Sequence, residues 1–415
     1  MSQATRATTW LLIVLAASCS RSTVDLIEPR AVPLKVEAVT NACGGTSMLS
    51  AMPEDACGVC GIYRCDGGSL RCEDPGANAC GRCGKVPAEE CNGRDDNCDG
   101  VIDEGCVRKL ASLPTTDSAP HASGVHVVFQ AGGRFTNASD IVLVTTPSFE
   151  VEIISPHATP IDAPGDPSQE ADPDIDGDLV VWTSRRADPF GDSGRLLGYD
   201  IATKATFEIS SAAVLHPAVS QERVAFQVSP GNYVNNEVWL WDRATGKTRA
   251  LTTKDTDNQA PDIDGDWVVY TSGTGISPYF NRQIVVQNLT TGETVTTSTG
   301  LPGWNTQPAI SGTRVVWRNE QGSQAPSIDG DIWLYDLSTK IRTKLVGGRA
   351  TRPRIAKTLV CWSETYSNGV TLLDVVTLKS RSMTSVGGGC DIDGRRVLWA
   401  ENTDVYVRDL LTGEP

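Results

Sequence analysis

The chain has 415 residues and a formal net charge of −15. Such an excess of acidic residues argues against nucleic acid or an anionic membrane surface as a partner, because both are bound through basic patches. Glycine (39) and proline (23) are frequent and tryptophan (10) is the commonest aromatic residue, a mixture typical of many short strands joined by tight turns.

The N-terminus has the pattern of an export signal. Arg6 precedes an apolar run over 10–17, and small residues lead to Cys19. The run is too short to cross a bilayer, which takes roughly 20 helical residues, and this order of residues is that of a signal peptide. The segment LAASCS resembles a bacterial lipobox, except that Ala16 stands where Leu is preferred. We therefore expect a signal peptide over 1–19 with lipid attachment at Cys19 as the only membrane contact; the alternative is an ordinary secretory signal with a chance cysteine.

Cysteine usage divides the rest of the chain. Residues 20–42 lack periodicity and are interpreted as a tether, whereas residues 43–106 hold ten of the 13 cysteines. Two C-x2-C pairs in this module have the spacing of a zinc ribbon. Disulfides are favoured instead, because an export signal places the module in an oxidising compartment.

Residues 91–106, CNGRDDNCDGVIDEGC, carry the most specific chemical pattern in the chain. Oxygen-bearing side chains alternate and a glycine follows, as at the start of an EF-hand calcium loop. The closing Glu of an EF-hand is missing, because Cys106 occupies its place. The expected metal ligands are Asp95, Asn97, Asp99, Val101 through its carbonyl, Asp103 and Glu104. The alternative is an acidic, disulfide-held turn that binds no metal tightly.

The same stretch resembles the MopE-type metal-binding motif, C-N-G-x-D-D-[DN]-C-D-G-x-x-D-E, at each position over 91–104. The resemblance implies a metal site in an exported bacterial protein, and the named member of that family is associated with copper. The segment has no His or Met, and hard oxygen ligands favour calcium over copper or zinc. Calcium is therefore the predicted cofactor.

From residue 107 onward the sequence repeats. The clearest unit is PDIDGDLVVW over 173–182, in which a D-G turn separates two strand-like stretches. Seven copies begin at Pro120, Pro173, Pro217, Pro261, Pro308, Pro353 and Cys390. Their starts lie 37 to 53 residues apart, which is the period of a four-stranded propeller blade, and the tenth residue of each copy is aromatic.

The remainder of each unit supplies the outer strands. An alternating stretch such as EVWLWD (237–242) is followed by a short β-prone stretch such as KTRALTT (247–253). The fourth strand of the last unit is missing, and residues 107–113 resemble it. We therefore predict an all-β fold, a seven-bladed β-propeller over 107–415 whose ring is closed by its N-terminal strand. A disulfide between Cys361 and Cys390, in adjacent units, is a further prediction.

The units resemble the TolB-like propeller repeat, P-x-[IF]-S-x-D-G-x-x-[IV]-[AV]-[FW] followed by D-[IV]-[YW]-x-x-D and L-T, over about three-quarters of the chain. The resemblance implies a protein-interaction platform at the cell envelope. Residues that could catalyse a reaction share no motif: GDSG at 191–194 lacks a protease framework, and the four histidines are scattered. Three D-I-D triplets are interpreted as turn residues, with a catalytic carboxylate pair as the alternative. The unit-end aromatics are interpreted as packing between blades.

These observations predict a non-catalytic, exported cell-envelope protein. A calcium-binding, disulfide-rich stalk would carry a propeller that binds an envelope or extracellular protein or glycan, and the chain is expected to be monomeric. An outer-membrane lipoprotein or cell-surface location is expected, alternatively a periplasmic or secreted one. The alternative function is a propeller-type hydrolase or lyase with a divergent active site. Convergent Asp and His side chains in the central funnel would favour the enzyme.

Overall fold

The computed structural model describes residues 39–90, 94–98, 105–110, 115–133, 139–146, 148–155, 168–186, 194–229, 235–274, 281–320, 330–364, 369–401 and 404–410. These residues form β-strands, turns and irregular segments, and none of them is helical. The chain divides into two compact units between Lys85 and Val86. The described part of the acidic loop, 94–98, thus lies in the second unit, whereas the sequence analysis placed it with the cysteine-rich module.

The first unit is a small sheet held by disulfides. Its antiparallel strands are β1 (Ala56–Cys57), β2 (Gly61–Asp66) and β3 (Ser69–Glu73). Disulfides join Cys43 to Cys65, Cys57 to Cys72 and Cys60 to Cys83, and Cys80 is also disulfide-bonded. All four cysteines of the C-x2-C pairs are therefore oxidised, and the zinc-ribbon alternative is wrong. Among the described residues of this unit only Cys57 is a buried hydrophobic residue, so cross-links replace a core.

The second unit consists of seven four-stranded antiparallel blades of a propeller, and a single parallel bridge between Ser139 and Gln169 joins the first two blades into one eight-stranded sheet. Strand β4 (Val107–Lys109) comes first in the chain. Blade 1 comprises β5 (Thr115–Ser123), β6 (His126–Gly133), β7 (Ser139–Thr145) and β8 (Glu150–Ile153). Blade 2 comprises β9 (Ser168–Asp176), β10 (Leu179–Arg186), β11 (Gly194–Asp200) and β12 (Ala205–Ser210). Blade 3 comprises β13 (Val214–Ser220), β14 (Arg223–Val228), β15 (Glu237–Asp242) and β16 (Lys247–Ala250).

The other blades follow the same order. Blade 4 comprises β17 (Asp257–Asp264), β18 (Trp267–Thr274), β19 (Asn281–Asn288) and β20 (Thr294–Thr296). Blade 5 comprises β21 (Trp304–Ser311), β22 (Arg314–Glu320), β23 (Gly330–Asp336) and β24 (Ile341–Val346). Blade 6 comprises β25 (Ala350–Ala356), β26 (Leu359–Glu364), β27 (Val370–Asp374) and β28 (Ser380–Thr384). Blade 7 comprises β29 (Gly388–Asp393), β30 (Arg396–Glu401), β31 (Asp404–Asp409) and β4.

The ring closes on itself. The first strands of the blades, β5, β9, β13, β17, β21, β25 and β29, contact one another in sequence and return from β29 to β5. Strand β4 pairs antiparallel with β31, and ion pairs join Arg108 to Asp409 (3.1 Å) and Lys109 to Asp404 (2.7 Å). The predicted closure by the N-terminal strand is confirmed, and it covers the edge that β31 would otherwise expose.

The repeated aromatic residue packs between blades. All seven are buried, and each belongs to a cluster with aliphatic side chains of the preceding blade. Trp182, for example, packs with Val128 and Ile141 of blade 1. The interpretation as inter-blade packing is confirmed, and truncating one of these side chains to Ala would cost about 3–5 kcal/mol.

A β-bulge interrupts the first strand of most blades at the residue before the unit proline. Backbone φ is positive there, between 47° and 53°, at Asp172, His216, Ala260, Gln307 and Arg352. The strand pairing shifts register at the same places. Proline is tolerated next to the bulge because the ladder is already interrupted and needs no N–H there. Each of these bulge residues lies at the inner wall of the propeller.

Hydrogen bonds in a constant register tie each blade to the next. In six blades the Ser or Asp at the fourth position of the ten-residue unit accepts a bond from the fifth-position N–H of the next blade, at 2.6–3.1 Å. In the three D-I-D blades the second-position carboxylate also accepts one from the third-position N–H of the next blade, at 2.7–3.1 Å. The D-I-D triplets therefore hold neighbouring blades together, beyond the turn role inferred from sequence.

Candidate functional site

A cavity of about 500 Å³ lies at the centre of the propeller. All seven first strands line it, through the second position of the unit and through the bulge residues. The bulges matter here because they turn the strand where it borders the cavity. A cavity of this volume is in the range that holds a small ligand.

Titratable side chains converge at the second position of the unit. Five blades place a charged or titratable residue there: His121, Asp174, Asp262, Arg354 and Asp391. His121 Nδ1 lies 3.1 Å from Asp174 Oδ1 and 3.8 Å from Asp391 Oδ2, and these three side chains are 14–17 % exposed. Convergent Asp and His side chains in the funnel are the feature expected to favour an enzyme, and the cavity has them.

Burial and mutual charge shift the acidities of this group. Burial alone lowers the pKa of the His121 imidazole, but Asp391 and Asp174 outweigh it and leave the pKa above its ordinary value. Burial raises the pKa of Asp391 more than His121 and Arg354 lower it. Burial likewise raises the pKa of Asp262 to about 6, against the lowering effect of Arg354. Burial is the largest cause for both carboxyl groups, because desolvation disfavours their charged form.

The bulge residues add a second set of polar groups. Asp172 Oδ2 lies 3.4 Å from Arg185 Nη2 and 3.7 Å from His216 Nδ1. The Arg352 backbone N–H donates to Gln307 Oε1 at 2.9 Å. The cavity wall therefore carries side chains of both signs, from the second position and from the bulge.

Sequence reasoning missed His121 and His216 as cavity residues because they share no local motif. Their common property is position within the repeat: His121 occupies the second position of its unit, and His216 is the bulge residue before Pro217. Aligning the seven units and comparing these two columns would have placed both on the inner wall.

Only part of the predicted metal loop lies within the described residues. Asp95 and Asn97 do, whereas Asp99, Val101, Asp103 and Glu104 lie outside them, as does the lipid-attachment residue Cys19. Within the described ranges, no group of three or more His, Cys, Asp or Glu side chains has the geometry of a metal site.

Glu89, which the sequence analysis did not single out, contacts this loop. Its Oε1 accepts hydrogen bonds from the backbone N–H groups of Asp96 (2.6 Å) and Asn97 (3.2 Å). Its Oε2 is buried and has no hydrogen-bond partner among the described residues. A buried carboxylate oxygen without a hydrogen-bond donor is suited to a hard cation, because coordination would replace the absent hydrogen bond.

Cys361 and Cys390 are joined by a disulfide with a Cα–Cα distance of 6.3 Å. The bond connects β26 of blade 6 to β29 of blade 7, and Cys390 borders the cavity. Blade 6 is the one that has alanine, Ala356, at the fourth position of the unit. The disulfide therefore spans the junction that lacks the fourth-position hydrogen bond.

Comparison with known proteins identifies the fold. No protein-family model matches the sequence, and no curated protein matches it. The β-propeller domain of the Trilobed protease from Pyrococcus furiosus matches with a TM-score of 0.54 at 11 % identity, over 71 % of this chain and 95 % of that one. The shared feature is the propeller fold. That domain is described as having an open velcro topology, whereas β4 closes the ring here.

Two further solved structures are similar to this chain. An oligogalacturonate lyase in complex with manganese gives a TM-score of 0.54 at 11 % identity, over 74 % of this chain and 93 % of that one. A protein assigned as TolB from Agrobacterium tumefaciens gives a TM-score of 0.43 at 16 % identity, over 58 % of this chain and 85 % of that one. Such identities establish the fold alone. The resemblances to the TolB-like repeat and to the MopE-type motif stay predictions at the level of family.

The structure also bears on the compartment. Disulfides occur in both units, as is typical of proteins from oxidising compartments. Within the described ranges, no helix has the length and apolar character needed to pass through a bilayer.

Proposed function

We propose that this is an exported cell-envelope binding protein that holds a protein segment or a glycan in the central cavity of its propeller. The cavity wall carries the proposal, because all seven first strands contribute to it and fixed polar side chains converge there. Asp174, Asp262 and Asp391 each bind a backbone N–H of the next blade, so their positions are set before any ligand arrives. Such preorganisation favours binding, since little ordering remains to be done.

The binding proposal is tested by calorimetric titration with one panel of peptides and one of oligosaccharides. Arg352→Glu reverses a charge on the cavity wall, and Arg249→Glu makes the same change on the exposed strand β16. We expect a ligand from one panel whose affinity falls at least tenfold in Arg352→Glu and is unchanged in Arg249→Glu. If the wild type, Arg352→Glu and Arg249→Glu bind the ligand with equal affinity, the binding site lies outside the cavity.

A calcium-binding loop over 91–106 is the second element of the proposal. Asp95 and Asn97, with Asp99, Val101, Asp103 and Glu104, would supply oxygen ligands, which suit calcium. The buried Glu89 Oε2 supports it as a further oxygen beside the loop. Bound calcium would stiffen the segment that leads into β4.

Export by a lipoprotein signal is the third element, supported by the disulfides. Intact-mass spectrometry of protein purified from its native envelope should show a chain that starts at Cys19 and carries a lipid-sized mass. An unlipidated chain cut elsewhere would rule out the anchor and leave the binding proposal standing.

A second candidate function is acid–base catalysis in the same cavity. It is favoured by the contact of His121 with Asp174 and Asp391 and by the raised pKa of Asp262. Among proteins with this fold are an oligogalacturonate lyase and the propeller domain of a protease. The test is product formation from polygalacturonate and from peptide substrates, with His121→Gln as the variant. Turnover that disappears in His121→Gln would replace the binding proposal with an enzyme.

A further inference from the structure

Charges on the cavity wall are separated by strand. Both cavity arginines, Arg352 and Arg354, lie on β25. Acidic residues lie on β9, on β17, which is separated from β25 by β21, and on β29, the neighbour of β25, which carries Asp391. A ligand that spans the cavity from β25 to β17 therefore meets guanidinium groups at one end and carboxylate at the other.

Arg352 is available to a ligand. The residue is exposed and lines the cavity, and within the described residues its guanidinium has no hydrogen-bond or ion-pair partner. Its main chain is fixed by the bond from its N–H to Gln307 Oε1. A carboxylate is the group that matches a guanidinium best, because two parallel N–H···O bonds can form.

Asp262 is the complementary group on β17. Its Oδ2 accepts the Ile310 N–H at 2.8 Å, which fixes the carboxylate at the wall. Among the described residues no cationic side chain lies within ion-pairing distance of it. An ammonium group from a ligand would add a direct ion-pair partner to the longer-range attraction of Arg354.

The total charge of the wall discriminates between ligand classes. Four aspartates (172, 174, 262 and 391) and two arginines (352 and 354) give the lining a net charge of −2 while both histidines are neutral. A polyanion such as a uronate chain is disfavoured by this balance, whereas a ligand with an ammonium group is favoured.

We propose that the cavity binds an amino-acid-type zwitterion, a free amino acid or short peptide, with its carboxylate on Arg352 and its ammonium group toward Asp262. The inference rests on the proposed binding function and names its ligand class. A volume of about 500 Å³ accommodates a ligand of this size.

The test is calorimetric titration with trialanine, its N-acetyl form and its C-terminal amide. We expect both capped forms to bind wild type at least tenfold more weakly than trialanine. Arg352→Gln should bind trialanine and the amide alike, and Asp262→Asn should bind trialanine and the N-acetyl form alike. Arg249→Gln, which alters an exposed arginine on β16, should keep the wild-type preference.

Proton release gives an independent readout. An ammonium group beside Asp262 lowers the pKa of that carboxyl, so binding near pH 6 should release protons from wild type and not from Asp262→Asn. Titrations in two buffers of different ionisation enthalpy measure this release. An absence of buffer dependence in wild type would overturn the placement of the ammonium group.

Other outcomes separate this inference from the proposed function. If an oligosaccharide or a capped peptide binds in the cavity and trialanine does not, the zwitterion inference fails and the binding function stands. If capping has no effect on affinity, the inference also fails. If neither the peptide nor the oligosaccharide panel contains a ligand, both are overturned.

Discussion

The junction between blades 6 and 7 should depend on its disulfide more than any other junction depends on one interaction. Ala356 cannot accept the N–H of Gly394, which stands at the fifth position of the next unit. What spans this junction includes the Cys361–Cys390 bond and the bond from the Gly389 N–H to Ser363 Oγ (2.8 Å). Removing the disulfide should therefore weaken the one junction that lacks the fourth-position hydrogen bond present at the other six.

The magnitude follows from the loop that the disulfide closes. Its two cysteines are 29 residues apart, and the chain-entropy relation then gives about 3.6 kcal/mol of lost unfolding free energy. With an unfolding entropy of about 2.1 cal/mol/K per residue over roughly 300 residues, the thermal midpoint should fall by about 6 °C. The double variant Cys361→Ala/Cys390→Ala, followed by tryptophan fluorescence on heating and in urea, measures this directly.

A rescue variant tests the reason. Adding Ala356→Asp to the double variant restores a fourth-position carboxylate opposite Gly394, and a charge-assisted hydrogen bond contributes about 1.5–3 kcal/mol. Ala202→Asp, at an exposed turn of blade 2, is the matched control and should restore nothing. If the double variant melts within a degree of wild type, or if both aspartate substitutions have the same effect, the reasoning is refuted.

Three further predictions concern single carboxylates. Asp176→Ala removes the acceptor of the Gln221 N–H (2.7 Å) and should lower the free energy of unfolding in urea by about 1.5–3 kcal/mol. Asp176→Asn keeps an acceptor oxygen and should retain most of this stability, so equal losses in the two variants would contradict the prediction. Because the pKa of Asp262 is raised from 3.8 to about 6, this group should make stability fall as pH rises through that interval, by up to about 3 kcal/mol. The slope should be smaller by this contribution in Asp262→Asn, whose remaining slope includes that of Asp391; an unchanged slope would contradict the prediction. Glu89→Gln should weaken calcium binding about tenfold by calorimetry, while the exposed neighbour change Glu90→Gln should not; equal affinities would remove Glu89 from the site.

The architecture could be predicted because each blade carries its own signals. A turn at the fourth and fifth positions of the unit, D-G in three of the seven copies, marks the first hairpin, and the tenth-position aromatic marks the face that packs on the preceding blade. These are local patterns, repeated seven times.

The cavity chemistry could not be predicted in the same way, because its residues come from different blades. Ala122 donates to Asp391 although the two are 269 residues apart, and they meet only because the ring closes. The bulges were also missed, since a residue before proline is normally extended, whereas Asp172 has a φ of 50°. The sequence pattern Asp-Gly predicts only that the Asp is a turn residue. It contains no information on the hydrogen bond that the Asp makes with the next blade.

The closing strand also determines how the protein would carry mechanical load. Chain connectivity puts β4 between the first unit and blade 1, while its hydrogen bonds attach it to β31. Tension from an N-terminal anchor would reach the propeller at this seam. The Arg108–Asp409 and Lys109–Asp404 ion pairs would bear it together with the backbone bonds. Drag on a surface-anchored molecule would thus be resisted first by the contact that completes the ring, and the propeller would begin to open there.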